Sequence, residues 1–157
     1  MPTQIPLDEL DKRILQQLQI DNAISNQDLA KLVHASPATC LRRVKDLVKQ
    51  GVIARQVAIL APEKMGASLT AVVEITLDHQ GSEHQVAFEQ LVAHEIAVQQ
   101  CYRVSPGPDF ILIIHVADMP AYHALAHRLF ANHSNIRNVR SFFSMSCSKF
   151  GTQVQIT

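Results

Sequence analysis

The segment Ser36 to Gly51, SPATCLRRVKDLVKQG, constrains the fold of this chain more than any other stretch. Serine is a favoured helix N-cap, proline is favoured at the first helical position, and glycine commonly ends a helix. The segment therefore predicts one helix with both ends marked. At about 100° per residue, its apolar residues fall within a third of the circumference and are expected to face a core: Cys40, Leu41, Val44, Leu47 and Val48.

The opposite side of this helix is polar and mostly basic. The same rotation places Thr39, Arg42, Arg43 and Asp46 away from the core, with Lys45 and Lys49 along one flank. From Lys31 to Arg55 the chain has six basic residues and one acid, a net charge of +5, although the formal net charge of the whole chain is 0. This asymmetry predicts an anionic partner for the N-terminal part.

Two shorter helices are predicted before the basic one. Leu7 to Leu18 carries an apolar stripe after the candidate N-cap Asp8, and Ser25 begins a second helix with Asp28 three positions later. Three such helices predict a helix-turn-helix, in which the second element of the motif enters the major groove of DNA.

Each polar residue of the basic helix has a predicted role. Ser36 and the helix N-terminus are expected to donate to a phosphate, and Thr39, Arg42 and Arg43 to reach bases or nearby phosphates. Lys45 and Lys49 are expected to hold phosphates, which positions the protein without reading sequence. The alternative is a merely solvated face, with Asp46 paired to Arg42 one turn away.

The remainder of the chain predicts a second domain of different architecture. VIARQVAIL, from Val52 to Leu60, is expected to form a strand, and residues 62–68 a linker. Beyond it, alternating strand-like and helix-like segments follow the order βαββαβ, a ferredoxin-like arrangement. The last strand is predicted where Phe143, Met145 and Cys147 alternate with Ser144, Ser146 and Ser148, with Cys147 facing inward. The predicted class is α+β, with a helix-turn-helix domain at 1–61, the linker at 62–68 and the ferredoxin-like domain at 69–157.

The N-terminal motifs resemble those of the Lrp/AsnC ("feast/famine") transcription regulators. The stretches LDELDKRIL, ISNQDLA, SPATCLRRVKDL and GVI match that family in order and spacing, and the βαββαβ part is similar to its regulator-of-amino-acid-metabolism (RAM) domain. The resemblance implies a winged-helix-like domain, with its helix-turn-helix motif at about 26–45, that binds double-stranded DNA at an imperfect palindrome. It also implies homodimers, assembling further to tetramers or octamers. His34 stands where the family usually has glycine in the turn, which predicts a positive φ at some cost.

The resemblance further implies an amino-acid effector bound between dimers, at the loop joining the second and third strands. Here that loop is VSPGPDF, in which prolines precede and follow the glycine. The effector-binding candidates are Ser105, Gly107, Asp109 and, in the last strand, Ser141. Two interpretations are equally compatible with these residues. The loop is an amino-acid pocket in which Asp109 faces the ammonium group, or it is a rigid connection in which Asp109 caps backbone amides.

Several function classes receive no support from the sequence. No apolar run of about 18 residues suggests a membrane span, and three dispersed cysteines without a CxxC motif favour the reducing cytoplasm. No catalytic motif, cofactor motif or metal-ligand set is recognised, and His123 and His127 are interpreted as surface residues. A sequence-specific transcription regulator is the leading hypothesis. An effector-independent DNA-organising protein and a metabolite-binding accessory subunit are the alternatives.

Overall fold

The structure is a computed structural model that describes residues 5–156. The chain divides into two compact units. The first runs to Ala58 and also includes the segment from Lys149 onward, and the second runs from Ile59 to Ser148. The linker at 62–68 remains a prediction, and it falls where a single 3₁₀ turn, Pro62–Met65, precedes the first strand.

Three helices form the first unit: α1 at Glu9–Ile20, α2 at Asn26–Val33 and α3 at Pro37–Lys49. Each begins directly after the residue that the sequence marks as its N-cap. The side chains of these caps, Asp8, Ser25 and Ser36, accept hydrogen bonds from first-turn amides. Gly51 follows the end of α3 with a φ of 75°, a conformation that glycine adopts without strain.

The helices enclose a small apolar core. Its buried members come from all three helices: Ile14, Leu15, Leu29, Ala30, Val33, Cys40 and Leu47. Between α2 and α3, His34 adopts φ 55° and ψ 51°, the left-handed conformation expected where glycine is usual. The positive-φ prediction for the turn is therefore confirmed.

The strand predicted from Val52 to Leu60 is wrong. Residues 54–60 have no regular secondary structure and are all exposed, including Val57, Ile59 and Leu60 at 61–67%. An isolated strand needs a neighbour to satisfy its backbone amides and carbonyls. Among residues 5–156, the only sheet is the four-stranded one in the second unit, and this segment does not join it.

The second unit has the predicted βαββαβ order. Its elements are β1 at Leu69–Leu77, α4 at Ser82–Ala93, β2 at Val98–Arg103, β3 at Phe110–Val116, α5 at Met119–Ala126 and β4 at Ile136–Phe143. A π-helical turn, His127–Ala131, extends α5. The sheet order is β2-β3-β1-β4 with antiparallel neighbours throughout, so the ferredoxin-like prediction is confirmed.

One face of this sheet is covered and the other is not. Alternate residues of β1 and β3, such as Val73 and Leu112, are fully buried together with Phe88 of α4 and Leu125 of α5. The intervening residues, such as Val72 and Ile113, remain partly exposed on the opposite face. The helices therefore cover one side of the sheet only.

The last strand lies earlier than its serine alternation suggests. β4 ends at Phe143, and Met145 is 97% exposed. Cys147, which the alternation predicted to face inward, is also exposed. Strand pairing with β1 ends at Ala71↔Phe143, so no ladder extends the alternation into residues 144–148.

The segment from Lys149 onward packs with the first unit. The Gln19 side chain accepts a hydrogen bond from the amide of Val154 at 2.6 Å and donates one to its carbonyl at 3.2 Å. Ile156 packs against the core of the three helices. A stretch that the sequence assigns to the second domain thus belongs to the first compact unit.

Candidate nucleic-acid interface

The buried side of α3 is narrower than its apolar pattern predicts. Cys40 is fully buried, Leu47 is 2% exposed and Val44 packs against the core. Leu41 and Val48 are 48% and 44% exposed, so the prediction that they face the core is wrong. The contact with α1 and α2 is centred on Cys40 and Leu47. Leu41 and Val48 therefore lie to one side of that contact.

The hydroxyls of Ser36 and Thr39 form one unit at the beginning of α3. The Ser36 Oγ accepts a hydrogen bond from the Thr39 amide at 3.2 Å and lies 2.8 Å from the Thr39 Oγ1. One of the two hydroxyl protons is used between them, and the other remains to be donated outward. The pair keeps a donor beside the unpaired amides of a helix N-terminus, where anions bind.

Arg42, Lys45 and Lys49 form the exposed cationic face of α3. Within residues 5–156, Lys45 and Lys49 make no ion pair, and Arg42 makes one long contact with Asp46, 3.7 Å from Nη1 to Oδ2. Both partners of that contact are about half exposed or more, which makes its stabilising contribution small. Arg42 is therefore held only weakly.

Arg43 does not share this face, and the prediction that it points outward with Arg42 is wrong. Its guanidinium lies 2.8 Å from Asp8 and 3.2 Å from both carboxylate oxygens of Asp11, with the side chain only 29% exposed. The Nε atom is buried, with no hydrogen-bond partner in the described part of the chain. Arg43 is next to the core because the helix contact is rotated toward it, so it ties α3 to the beginning of α1.

The same two acids also shape α1. Asp8 and Asp11 form a reciprocal capping box, in which each carboxylate accepts the other residue's amide. The hydrogen bond from the Asp11 amide, together with the charge of Arg43, holds the pKa of Asp8 below its ordinary value of 3.8. The sequence analysis did not predict these ion pairs. The only sequence signal for them is the two aspartates, Asp8 and Asp11, of LDELD.

A second missed contact joins α2 to α3. The side-chain amide of Asn26, at the first position of α2, donates to the carbonyl of Pro37 at 2.7 Å. It bridges the N-termini of the two helices across eleven positions of sequence. The angle between the helices of the motif is therefore supported by a polar contact as well as by the core.

Asp109, the candidate for an effector's ammonium group, ties its loop to the end of β1. It is 8% exposed, and its Oδ2 accepts hydrogen bonds from the Leu77 amide at 2.7 Å and from the Gln80 side chain at 3.3 Å. Its backbone amide donates to the Ile75 carbonyl at 2.8 Å. Of the two interpretations open from the sequence, this geometry favours the backbone-capping one.

The other effector candidates lie in two different settings. Ser105 and Gly107 are exposed in the loop, and Gly107 has a φ of 125°, which only glycine adopts readily. Ser141 lies in β4, and its hydroxyl is hydrogen-bonded to the Tyr122 hydroxyl of α5. The loop thus offers backbone groups and a hydroxyl, whereas Ser141 is already engaged.

Residues 5–156 contain neither a membrane-spanning helix nor a cluster of metal ligands. No helix there is long and apolar enough to cross a membrane. No group of three or more histidine, cysteine, aspartate or glutamate side chains is arranged to hold a metal ion in this part of the chain.

Two family models match the chain, and they divide it between them. The model described as "Winged helix-turn-helix DNA-binding" matches residues 7–54, which contain the three helices. The model described as "Lrp/AsnC ligand binding domain" matches residues 70–154, which contain the four-stranded sheet.

Two relatives match the chain over most of its length. The leucine-responsive regulatory protein of Escherichia coli (strain K12) is 37% identical over 139 residues, covering 88% of this chain and 85% of the relative. An uncharacterized HTH-type transcriptional regulator of Haemophilus influenzae is 37% identical over 143 residues, covering 91% and 85%.

Among solved structures, an AsnC family transcriptional regulator from Agrobacterium tumefaciens has a TM-score of 0.89 at 36% identity, over 95% of this chain and 97% of that one. A transcriptional regulator from Neisseria meningitidis, solved as a complex with L-Met, has a TM-score of 0.89 at 27% identity, over 96% and 97%. The chain belongs to the Lrp/AsnC family and is a transcriptional regulator that joins a helix-turn-helix DNA-binding domain to a ligand-binding domain.

Proposed function

We propose that this chain binds double-stranded DNA by placing the outer face of α3 in the major groove. The observation that carries the proposal is the exposed cationic row Arg42, Lys45 and Lys49, of which only Arg42 has an ion-pair partner among the described residues, and a weak one. Arg42 reads a base, because a guanidinium spans the O6 and N7 atoms of guanine. Lys45 and Lys49 hold phosphates, and the Ser36–Thr39 hydroxyl pair with the α3 N-terminus holds another.

Arg43 has a different role in this proposal from the one that the sequence suggested. Its ion pairs with Asp8 and Asp11 support the orientation of α3 relative to α1. It is a positioning residue, and it affects DNA binding through the placement of Arg42 and Lys45.

The uncovered face of the sheet supports assembly as a homodimer. Val72 and Ile113 pair across β1 and β3, and Phe142 of β4, 46% exposed, lies opposite Val72 on the other side. An apolar sheet face with helices on its other side only is a typical protein–protein contact surface. A twofold dimer carries two copies of α3 and so favours an imperfect palindrome with half-sites about one helical turn apart. Tetramers or octamers would add further weak contacts to DNA.

An amino acid or related small molecule is the proposed effector. The ligand-binding domain match and the L-Met complex of the Neisseria meningitidis regulator support this class of ligand. In this chain the exposed groups of the loop are Ser105 and the backbone at Gly107, which suit a carboxylate better than an ammonium group. Such a ligand regulates DNA binding only if it binds one assembly state more tightly than another.

A direct test compares DNA affinities at physiological salt in the reducing conditions of the cytoplasm, where we place the protein. A duplex selected from a random library is expected to bind at least about a thousandfold more tightly than a random duplex of equal length. Arg42→Ala is expected to weaken operator binding by about 5- to 150-fold, the usual range for a base-reading arginine. Arg137→Ala, which removes the same charge from β4, serves as the control. Equal affinity of the wild type for both duplexes would refute sequence-specific regulation.

One observation favours a second candidate function, an effector-independent DNA-organising protein. Asp109 is buried and accepts a hydrogen bond from the Leu77 amide at the end of β1, so it is not free to bind an ammonium group. A thermal-shift screen of the twenty amino acids separates the candidates, because a ligand at a hundredfold excess over its dissociation constant stabilises the folded state by about 2.7 kcal/mol. Stabilisation by one or a few of them supports the regulated form; no stabilisation supports the organising form.

A further inference from the structure

An apolar side chain lies at the edge of the cationic face of α3. Leu41 is 48% exposed, although it is flanked in sequence by the fully buried Cys40 and the exposed Arg42. The contacts of α3 with the core come from Cys40, Val44 and Leu47. The exposed part of Leu41 therefore does not contribute to the packing of the three helices.

Leu41 lies in a shallow depression of the α3 surface that has both apolar and charged walls. The depression is lined by Ala38, Leu41, Arg42, Lys45 and Asp46. Ala38 and Leu41 are one turn apart, and Lys45 follows Leu41 by a further turn, so the apolar pair is continuous with the cationic row. Ala38 and Leu41 also belong to the N-terminal half of the helix, which is the part that contacts base edges in helix-turn-helix proteins.

The surrounding charges decide which partner suits this apolar pair. Two cations, Arg42 and Lys45, and one carboxylate, Asp46, line the depression, so its net charge is positive and an anionic surface around an apolar spot complements it. The major groove of DNA has this combination, because phosphates line the groove and the thymine C5-methyl is the apolar group on its floor. An apolar patch on another protein would leave Lys45 without a partner, since only Arg42 has an ion pair, the long one with Asp46, among the described residues of this depression.

We propose that Leu41, with Ala38 beside it, reads a thymine methyl group and is a specificity-determining residue of α3. This inference rests on the proposed function, since it requires α3 to enter the major groove. It adds an apolar contact to the polar readout by Arg42 and predicts a thymine in each half-site, close to the base that Arg42 contacts. The contact excludes water from one methyl group, and burial of a methyl-sized group contributes about 0.8 kcal/mol, or about fourfold in affinity.

The test removes the methyl group and the leucine separately. Thymine is replaced by deoxyuridine at each position in turn of a duplex selected from a random library, and affinities are measured for wild type, Leu41→Ala and Val48→Ala. Val48 is the matched control, because it is similarly exposed at 44% but lies two turns further toward the C-terminal end of α3. Leu41 is half exposed, so Leu41→Ala is expected to fold normally, which its melting temperature checks.

The expected result is a loss of about fourfold at one thymine of each half-site in wild type and in Val48→Ala, and no loss at that position in Leu41→Ala. The inference is overturned if no deoxyuridine effect depends on Leu41, or if the selected duplex has no thymine near the base read by Arg42. A change of oligomeric state in Leu41→Ala, with DNA specificity unaltered, would assign the residue to a protein contact instead. If wild type prefers no selected duplex to random DNA, the proposed function itself fails, and this inference with it.

Discussion

At the scale of single residues, neighbouring arginines in the same helix have separate roles. Arg42 is exposed with one contact of 3.7 Å, whereas Arg43 is held by two carboxylates at 2.8 and 3.2 Å. A rotation of about 100° between successive residues is enough to move a side chain from the outer face to the edge of the core. The sequence pattern assigned both arginines to the DNA-facing side because helical rotation places both of them opposite the apolar residues of α3.

Alanine substitutions should separate the two roles. Arg43→Ala is expected to lower the free energy of unfolding by about 1–3 kcal/mol, since Asp11 is left partly buried without its partner. Arg42→Ala is expected to change it by less than about 0.5 kcal/mol, because its ion pair is exposed. Urea denaturation followed by circular dichroism measures both, and equal stabilities would contradict the assigned roles.

The stability difference caused by Arg43→Ala should depend on pH. The pKa of Asp8 is lowered in the folded state, chiefly by the Asp11 amide and further by Arg43. A lowered pKa means a stabilising contribution that is present above the ordinary value of 3.8 and is lost as the pH falls below it. The difference in the free energy of unfolding between wild type and Arg43→Ala is therefore expected to become smaller in acid.

His34 offers a second test at this scale, because it has a positive φ without being glycine. His34→Gly is expected to raise the free energy of unfolding by up to about 1 kcal/mol, since the left-handed conformation costs a side chain about that much. The neighbouring substitution Ala35→Gly is the control and should destabilise, because Ala35 has an ordinary φ and packs against the core. A loss of stability in His34→Gly would show that the histidine side chain contributes more than its conformation costs.

At the scale of elements, local signals identified the helices well and the strands less well. The N-caps Asp8, Ser25 and Ser36 and the terminal Gly51 are short-range signals, and the structure confirms each of them. The strand predicted from Val52 and the inward alternation to Cys147 failed, because a strand exists only where another strand pairs with it. Pairing is a long-range property that an alternating pattern does not contain.

The segment from Lys149 onward is an element whose contribution to stability can be measured. Ile156 packs against the core of the three helices, so Ile156→Ala is expected to lower the stability of that unit by about 1 kcal/mol, as a partly buried side chain is shortened. Val154, 70% exposed, is the matched control, and Val154→Ala is expected to change stability by less than about 0.5 kcal/mol. Identical melting curves for Ile156→Ala and wild type would argue against this packing.

At the scale of the whole molecule, the uncovered sheet face leads to a test of assembly. Ile113→Lys places a charge opposite Val72 on the proposed dimer surface, where an unpaired charge is costly to bury. The variant is expected to shift the protein toward monomer and to weaken operator binding, as measured by sedimentation and by fluorescence anisotropy. Val86→Lys, at a 44% exposed position of α4, is the control and should leave the assembly unchanged. A dimeric Ile113→Lys would move the proposed interface elsewhere.

The sequence by itself determined the three capped helices, the left-handed turn at His34, the βαββαβ order and the sign of the charge on α3. Each of these depends on residues close together in the chain, where helix geometry and backbone preferences act directly. Tertiary structure alone decided that Arg43 binds Asp8 and Asp11 and that Leu41 faces outward. It also decided that Asp109 is hydrogen-bonded to the end of β1 and that residues 149–156 belong to the first unit. These outcomes depend on how elements rotate and pack against one another, and the free energy of that packing comes from groups far apart in sequence.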